Sequence, residues 1–132
     1  MRILVVDDDR DVRLICDVVL GGSGHEVIEA RDGEEAVRLA LQTRPDAIVL
    51  DIMMPKKDGL TALRELREAP DTASTPVVII SALASPADRK RGFDAGADEY
   101  LVKPFSPERL SQVIERLNDK VAEGLVELAG TD

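Results

Sequence analysis

The sequence predicts an α/β protein: five parallel strands in one doubly wound sheet, with five helices covering both faces. Three observations carry that reading. Short apolar, β-branched runs alternate with helical patterns five times along the 132 residues. The strand-like runs are apolar throughout instead of alternating, as strands buried on both faces are. Right-handed crossovers between parallel strands then place helices on both faces of the sheet.

Ile3–Val6 is the first such run, followed directly by the acids Asp7, Asp8 and Asp9. Asp9 stands as a cap before Val12, Ile15, Cys16, Val19 and Leu20, which recur at helical spacing until Gly21-Gly22-Ser23-Gly24 stops the helix. His25–Ala30 reads as a weaker strand. Asp32, with Glu35 three residues on, caps a helix carrying Ala36, Val37, Ala40 and Leu41. Ala47–Leu50 is a third strand ending at Asp51. Beyond the loop with Pro55, Asp58 caps a helix with Leu60, Leu63 and Leu66.

Ala69–Thr75 reads as a polar connector to the strand Val77–Ile80. Ser85-Pro86 and Ser106-Pro107 each set a cap followed by a proline at the first helical position. Gly92 and Gly96 loosen and close the fourth helix. Glu99–Val102 is the last strand, and Leu110, Val113, Ile114 and Leu117 mark the last helix. One domain over 1–120 is expected, with 121–132 as a helical extension or tail on which Val121, Leu125 and Leu128 could continue an apolar stripe.

Composition narrows the function. The chain has no Trp, one Tyr and two Phe, so its core is built from Val, Ile, Leu and Ala. A formal charge of −9 lacks the basic footprint needed to bind a phosphate backbone, and nucleic-acid binding is not expected of this domain. Cys16 is the only cysteine, which excludes an internal disulfide and a zinc cluster; among Ile15, Val18 and Val19 it reads as a core residue. No apolar run approaches membrane-spanning length and no signal peptide precedes Asp7, so a cytoplasmic location is expected.

The polar residues fall where the fold makes them meet. Asp7 and Asp8 follow the first strand, Asp51 the third, Lys103 the fifth, and Ser81 ends the fourth. In a doubly wound sheet ligands bind at the carboxyl ends of the strands. Three carboxylates, a hydroxyl and an ammonium would therefore share one edge. Carboxylates this close resist ionisation unless a cation neutralises them, and hard oxygen ligands suit Mg2+. Solvated loop acids are the ordinary explanation for any one of these residues, but five at corresponding strand ends outweigh it.

Four segments resemble the signatures of response-regulator receivers: Ile3-Leu4-Val5-Val6-Asp7-Asp8-Asp9, Val49-Leu50-Asp51-Ile52-Met53-Met54-Pro55, Ile79-Ile80-Ser81-Ala82, and Tyr100-Leu101-Val102-Lys103-Pro104-Phe105. Asp58-Gly59 and Ala95-Gly96-Ala97 also fit, and the likeness runs from about Arg2 to Leu117. It implies a flavodoxin-like strand order, 2-1-3-4-5. It implies Asp51 as phosphoryl acceptor and Mg2+ (or Mn2+) on the side chains of Asp8 and Asp51 and the backbone carbonyl of Met53. Asp7 would hold the metal's waters. Lys103 would contact the phosphoryl oxygens and Ser81 would donate to one of them. Asp9 would cap the first helix instead of binding metal.

The resemblance further implies a histidine kinase or histidine phosphotransfer protein as donor, slow self-dephosphorylation, and a downstream effector the sequence does not name. Tyr100 would rotate inward from an exposed position as Ser81 is drawn to the phosphoryl group. The surface of the fourth helix, fifth strand and fifth helix would change with it, and a homodimer could form there. Lys103-Pro104 resembles the family's cis peptide. Met53 and Leu83, two residues after Asp51 and Ser81, are apolar where the family is often polar, so attacking water is expected to be hindered.

Three other readings compete. A haloacid-dehalogenase-type phosphatase wants a second acid two residues after its nucleophile, where this chain has Met53. A nucleotide or flavin module needs a Gly-rich link from strand to helix, whereas Gly21–Gly24 follows a helix. A receiver-like module that binds partners without phosphorylation would not need the complete set Asp7, Asp8, Asp51, Ser81 and Lys103.

Overall fold

A computed structural model describes residues 1–54 and 57–130, except the side chains of 122–130. The elements run β1 (Arg2–Val6), α1 (Arg10–Gly22), β2 (Glu26–Ala30), α2 (Gly33–Thr43), β3 (Ala47–Asp51), α3 (Gly59–Glu68), β4 (Val77–Ser81), α4 (Pro86–Asp94), β5 (Glu99–Val102) and α5 (Pro107–Gly130). The five strands form one parallel sheet in the order β2-β1-β3-β4-β5, as expected. That order puts the ends of β1, β3, β4 and β5 side by side.

The period-2 geometry of the strands divides their apolar residues between two layers. Leu4, Val6, Ile48, Leu50, Val77 and Ile79 face α2, α3 and α4, where Ala36, Ala40, Leu63 and Leu66 meet them. Ile3, Val5, Val49, Val78, Ile80 and Leu101 face α1 and α5, packing on Cys16, Leu20, Leu110, Val113, Ile114 and Leu117. Every residue of β3 and β4 is buried, which is why neither strand reads as amphipathic. Burial pushes the Cys16 thiol up to about 12, so it behaves as a small inert core residue.

The caps are where the sequence places them. The Asp9 side chain accepts from Asp11 N, Asp32 from Glu35 N and Asp58 from Thr61 N. Ser85 forms a reciprocal capping box with Asp88, ahead of Pro86. The end of α1 moves. Gly21 and Gly22 belong to α1, and the turn is made by Ser23 and by Gly24 at φ 87°, a conformation open to glycine. The α1 apolar stripe is also narrower than its spacing suggests: Cys16 and Leu20 are buried, whereas Leu14, Ile15 and Val18 are 57%, 46% and 66% exposed.

Arg67 ties the lower edge of the sheet together. From α3 it donates to the carbonyls of Thr72, Ala73, Thr75 and Gly96 and pairs with Asp98 at 3.2 Å. Asp98 also accepts from Val77 N and Lys120 Nζ. The α5 backbone passes the expected boundary at 120/121 without a break and continues to Gly130. Pro55 and the Leu125 and Leu128 side chains of the expected stripe lie outside the described residues. Among the described residues no helix is long and apolar enough to cross a membrane.

Candidate functional site

The chain turns away from the sheet immediately after β1, β3 and β5, so the residues there project from a rigid, buried frame. Asp7, Asp8 and Asp51 each offer a carboxylate oxygen, and these oxygens lie within 4.8 Å of one another. Asp7 is fully buried and Asp51 is 4% exposed, while Asp8 is open to solvent. Lys103, from the end of β5, places Nζ 2.7 Å from Asp7 Oδ2 and 3.5 Å from Asp51 Oδ2. The site brings together all five residues expected there; Ser81, fully buried at the end of β4, is joined to Lys103 by its carbonyl, which accepts from Lys103 N at 2.8 Å.

Local hydrogen bonds fix the orientation of Asp7, Asp51 and Ser81. Asp7 Oδ1 accepts from Asp9 N at 2.9 Å, so Asp9 serves the site through its backbone while its side chain caps α1. Asp51 Oδ1 accepts from Met53 N at 3.1 Å. Ser81 Oγ accepts from Leu83 N at 3.0 Å. The Lys103–Pro104 peptide is cis, as the resemblance implies.

The electrostatics are unbalanced. Burial is the largest influence on Asp51 and raises its carboxyl to about 6; the Met53 N–H lowers it, Asp7 adds to the rise, and Lys103 opposes it. On Lys103 burial disfavours the charge, but the hydrogen bond to Asp7 and the two carboxylates outweigh it and raise its pKa. One ammonium thus faces three acids. Hard carboxylate oxygens in this number and spacing fit a small divalent cation, and such an ion would remove the repulsion.

Two residues to which the sequence assigns no role at the site also shape it. Arg13 donates from Nη1 to the Asp7 carbonyl at 2.8 Å and pairs with Glu29 at 3.0 Å, fastening the β1 end to α1 and β2. Gly59 opens α3 directly beneath the acceptor loop: a Cβ there would stand 2.2 Å from the Asp51 carbonyl oxygen, so only glycine lets α3 start this close. Gly59 follows the capping Asp58, and that pairing was its one signal in the sequence.

Tyr100 differs from expectation. Its ring is 5% exposed, not outward, and its hydroxyl donates to the Leu83 carbonyl at 2.7 Å. The ring fits here because α4 presents Gly92 to it. Met53 is 58% exposed beside Asp51, and Leu83 is half-buried against the layer that holds Ile79 and Tyr100.

The family model described as the response regulator receiver domain matches residues 3–115. This chain is a response-regulator receiver domain. As such it belongs to two-component signalling. The receiver is 49% identical over 110 residues to the response regulator MprA of Mycolicibacterium vanbaalenii, covering 83% of this chain and 47% of that protein. It therefore spans about half the length of such curated relatives. Among solved structures, the Vibrio cholerae chemotaxis protein CheY4 superposes with a TM-score of 0.84 at 34% identity, over 88% of this chain and 97% of CheY4. The receiver domain of a Pseudomonas aeruginosa sensor histidine kinase, described with magnesium coordinated in its active-site cleft, gives 0.82 at 34% identity, over 88% and 95%.

Proposed function

We propose that the receiver accepts a phosphoryl group on Asp51 from a phosphohistidine of a kinase or phosphotransfer protein, with Mg2+ bound, and slowly returns it to water. The observation that carries this reading is the buried Asp51 carboxylate, ringed by Asp7, Asp8 and the Lys103 ammonium at the sheet edge. Asp8, Asp51 and the Met53 carbonyl would hold the metal, and Asp7 its waters; Mn2+ has the same hard-ligand preference. The bound metal supplies charge neutralisation to the transferring group.

The chain's own residues do the rest. An Asp51 oxygen attacks phosphorus, the P–N bond to the donor imidazole breaks, and its electron pair stays on that nitrogen, which takes up a proton. Asp51 needs no general base, because a carboxyl at about 6 is already largely ionised at neutral pH. Lys103 Nζ, 3.5 Å from Asp51 Oδ2, stands where it can stabilise oxygens that gain charge in transfer. Reversal is attack of water on phosphorus, releasing phosphate and restoring the carboxylate.

Ser81 then changes partner. Its Oγ leaves Leu83 N and donates to a phosphoryl oxygen, and the added charge is communicated to the surface of α4, β5 and α5. That surface is read by a downstream effector, and a homodimer across it belongs to the same proposal, as does a cytoplasmic location. An apolar groove of about 380 Å3, lined by Val12, Ile15, Ala82, Lys103, Pro104 and Phe105, adjoins the acceptor site. With exposed Leu14 and Val18 it suits a helix of the phosphohistidine donor, since Lys103 belongs to both groove and site.

The test is chemical. After incubation with acetyl phosphate and Mg2+, borohydride reduction converts an aspartyl phosphate to homoserine, and peptide mapping is expected to find it at position 51; label elsewhere overturns the assignment. The apolar Met53 and Leu83 are expected to prolong the phosphoryl state, so Met53→Asn with Leu83→Glu should shorten its lifetime several-fold. Decay of the wild-type adduct within seconds would contradict that role.

A further inference from the structure

We propose that α4 holds Tyr100 in its inward conformer through a two-residue clasp: Gly92 leaves the space that the ring fills, and Arg89 closes over the ring's outer face. Among the described residues of α4, Gly92 alone is buried, so this helix meets the sheet through a position with no side chain. A Cβ at 92 would stand 2.8 Å from Ile79 Cδ1 and 3.1 and 3.2 Å from Tyr100 Cε2 and Cδ2. Even an alanine there competes with the ring for the same volume. One turn earlier, the Arg89 guanidinium carbon lies 5.5 Å from the ring centroid, within cation–π range. Phe93, 45% exposed, flanks the same ring at 6.3 Å with the planes 47° apart.

The far end of the ring is fixed too, since its hydroxyl donates to the Leu83 carbonyl. Leu83 is the residue whose N–H donates to Ser81 Oγ. Ser81 and Tyr100 are thus joined through the two sides of a single residue's backbone. The clasp acts at the Tyr100 end of this chain and touches no atom of the acid cluster. Arg89 and Gly92 are positioning residues that set how much of the Tyr100 population is inward before Ser81 moves. The contacts stand by themselves; only their regulatory meaning rests on the phosphoacceptor reading.

Tyr100 is the chain's single tyrosine and there is no tryptophan, so intrinsic fluorescence reports this ring alone. The experiment compares acrylamide quenching of wild type, Arg89→Met, Arg89→Lys and Gly92→Ala in the full chain, without phosphodonor, well below each melting temperature. Loss of the cation over the ring is expected to raise the outward population about two- to fivefold in Arg89→Met, with Arg89→Lys close to wild type. Gly92→Ala should expose the ring further. A 19F resonance of 3-fluorotyrosine at position 100 should shift in the same order. Quenching unchanged in Arg89→Met overturns the clasp, as does equal exposure in Met and Lys variants; Arg89 decides the matter if Gly92→Ala does not fold. Because no phosphoryl group is involved, this failure is separable from failure of Asp51 to be phosphorylated.

Discussion

Lys103→Met should lower the stability of the metal-free receiver by about 3 kcal/mol, a fall in Tm on the order of 10 °C. Asp7 is fully buried and its Oδ2 accepts from the Lys103 ammonium at 2.7 Å. Removing one partner of such a pair leaves an uncompensated charge, which costs more than the intact pair contributes. The Lys103 side chain is itself 22% exposed, which holds the figure near the lower end for buried pairs. Asp7→Asn in the same protein should recover most of the loss, because the orphaned charge is then gone. Mg2+ should recover it in the single variant, as a ligand that binds only the folded form. Thermal melts in EDTA and in Mg2+ check all three; a Lys103→Met protein as stable as wild type in EDTA would contradict the account.

Asp51→Asn should have the opposite sign. The carboxyl is raised from 3.8 to about 6, chiefly by burial and with Asp7 adding to it. Between those values the folded state binds the proton more tightly than the unfolded chain does. Stability therefore falls as pH rises from about 4 to about 6 and stays lowered above that. A shift of this size corresponds to about 3 kcal/mol at pH 7, an upper figure because asparagine must also be accommodated. Without metal, Asp51→Asn should be the more stable protein at pH 7 by about 2–3 kcal/mol and should lack the decline between pH 4 and 6. Near pH 4 the two should converge. Denaturant melts across this range in EDTA measure the difference, and a variant no more stable than wild type at pH 7 would refute the cost assigned to burying the Asp51 charge beside Asp7.

These predictions depend on residues the sequence already exposed, for a physical reason. Buried parallel strands are legible as apolar runs, and a polar residue that interrupts such a run at its carboxyl end has few structural excuses. Asp7, Asp51, Ser81 and Lys103 are visible on that ground alone, apart from any family resemblance. The helix starts were equally legible, since Asp9, Asp32, Asp58 and Ser85 cap by local hydrogen bonds that depend on nearest neighbours.

What the sequence hid was long-range. Ile15 has the spacing of a core residue, yet α1 turns it outward beside Lys103 and Phe105, and only the packing of α1 against α5 decides that. Gly59 and Gly92 look like ordinary glycines until the Asp51 carbonyl and the Tyr100 ring are brought against them. Arg13, Arg67 and Arg89 look like surface cations, although their guanidinium groups meet partners placed by other elements. An outward Tyr100 follows from the resemblance alone; that Gly92 makes room for the ring and the Leu83 carbonyl accepts its hydroxyl emerges only once α4 and β5 are packed together.

The most direct test of the central claim is intact mass after incubation with acetyl phosphate, for wild type with Mg2+, wild type in EDTA, and Asp51→Asn with Mg2+. A single phosphoryl adduct on wild type with Mg2+ and none in the other two is the predicted result. No adduct on folded wild-type protein that binds Mg2+, or an adduct that persists in Asp51→Asn, would contradict it.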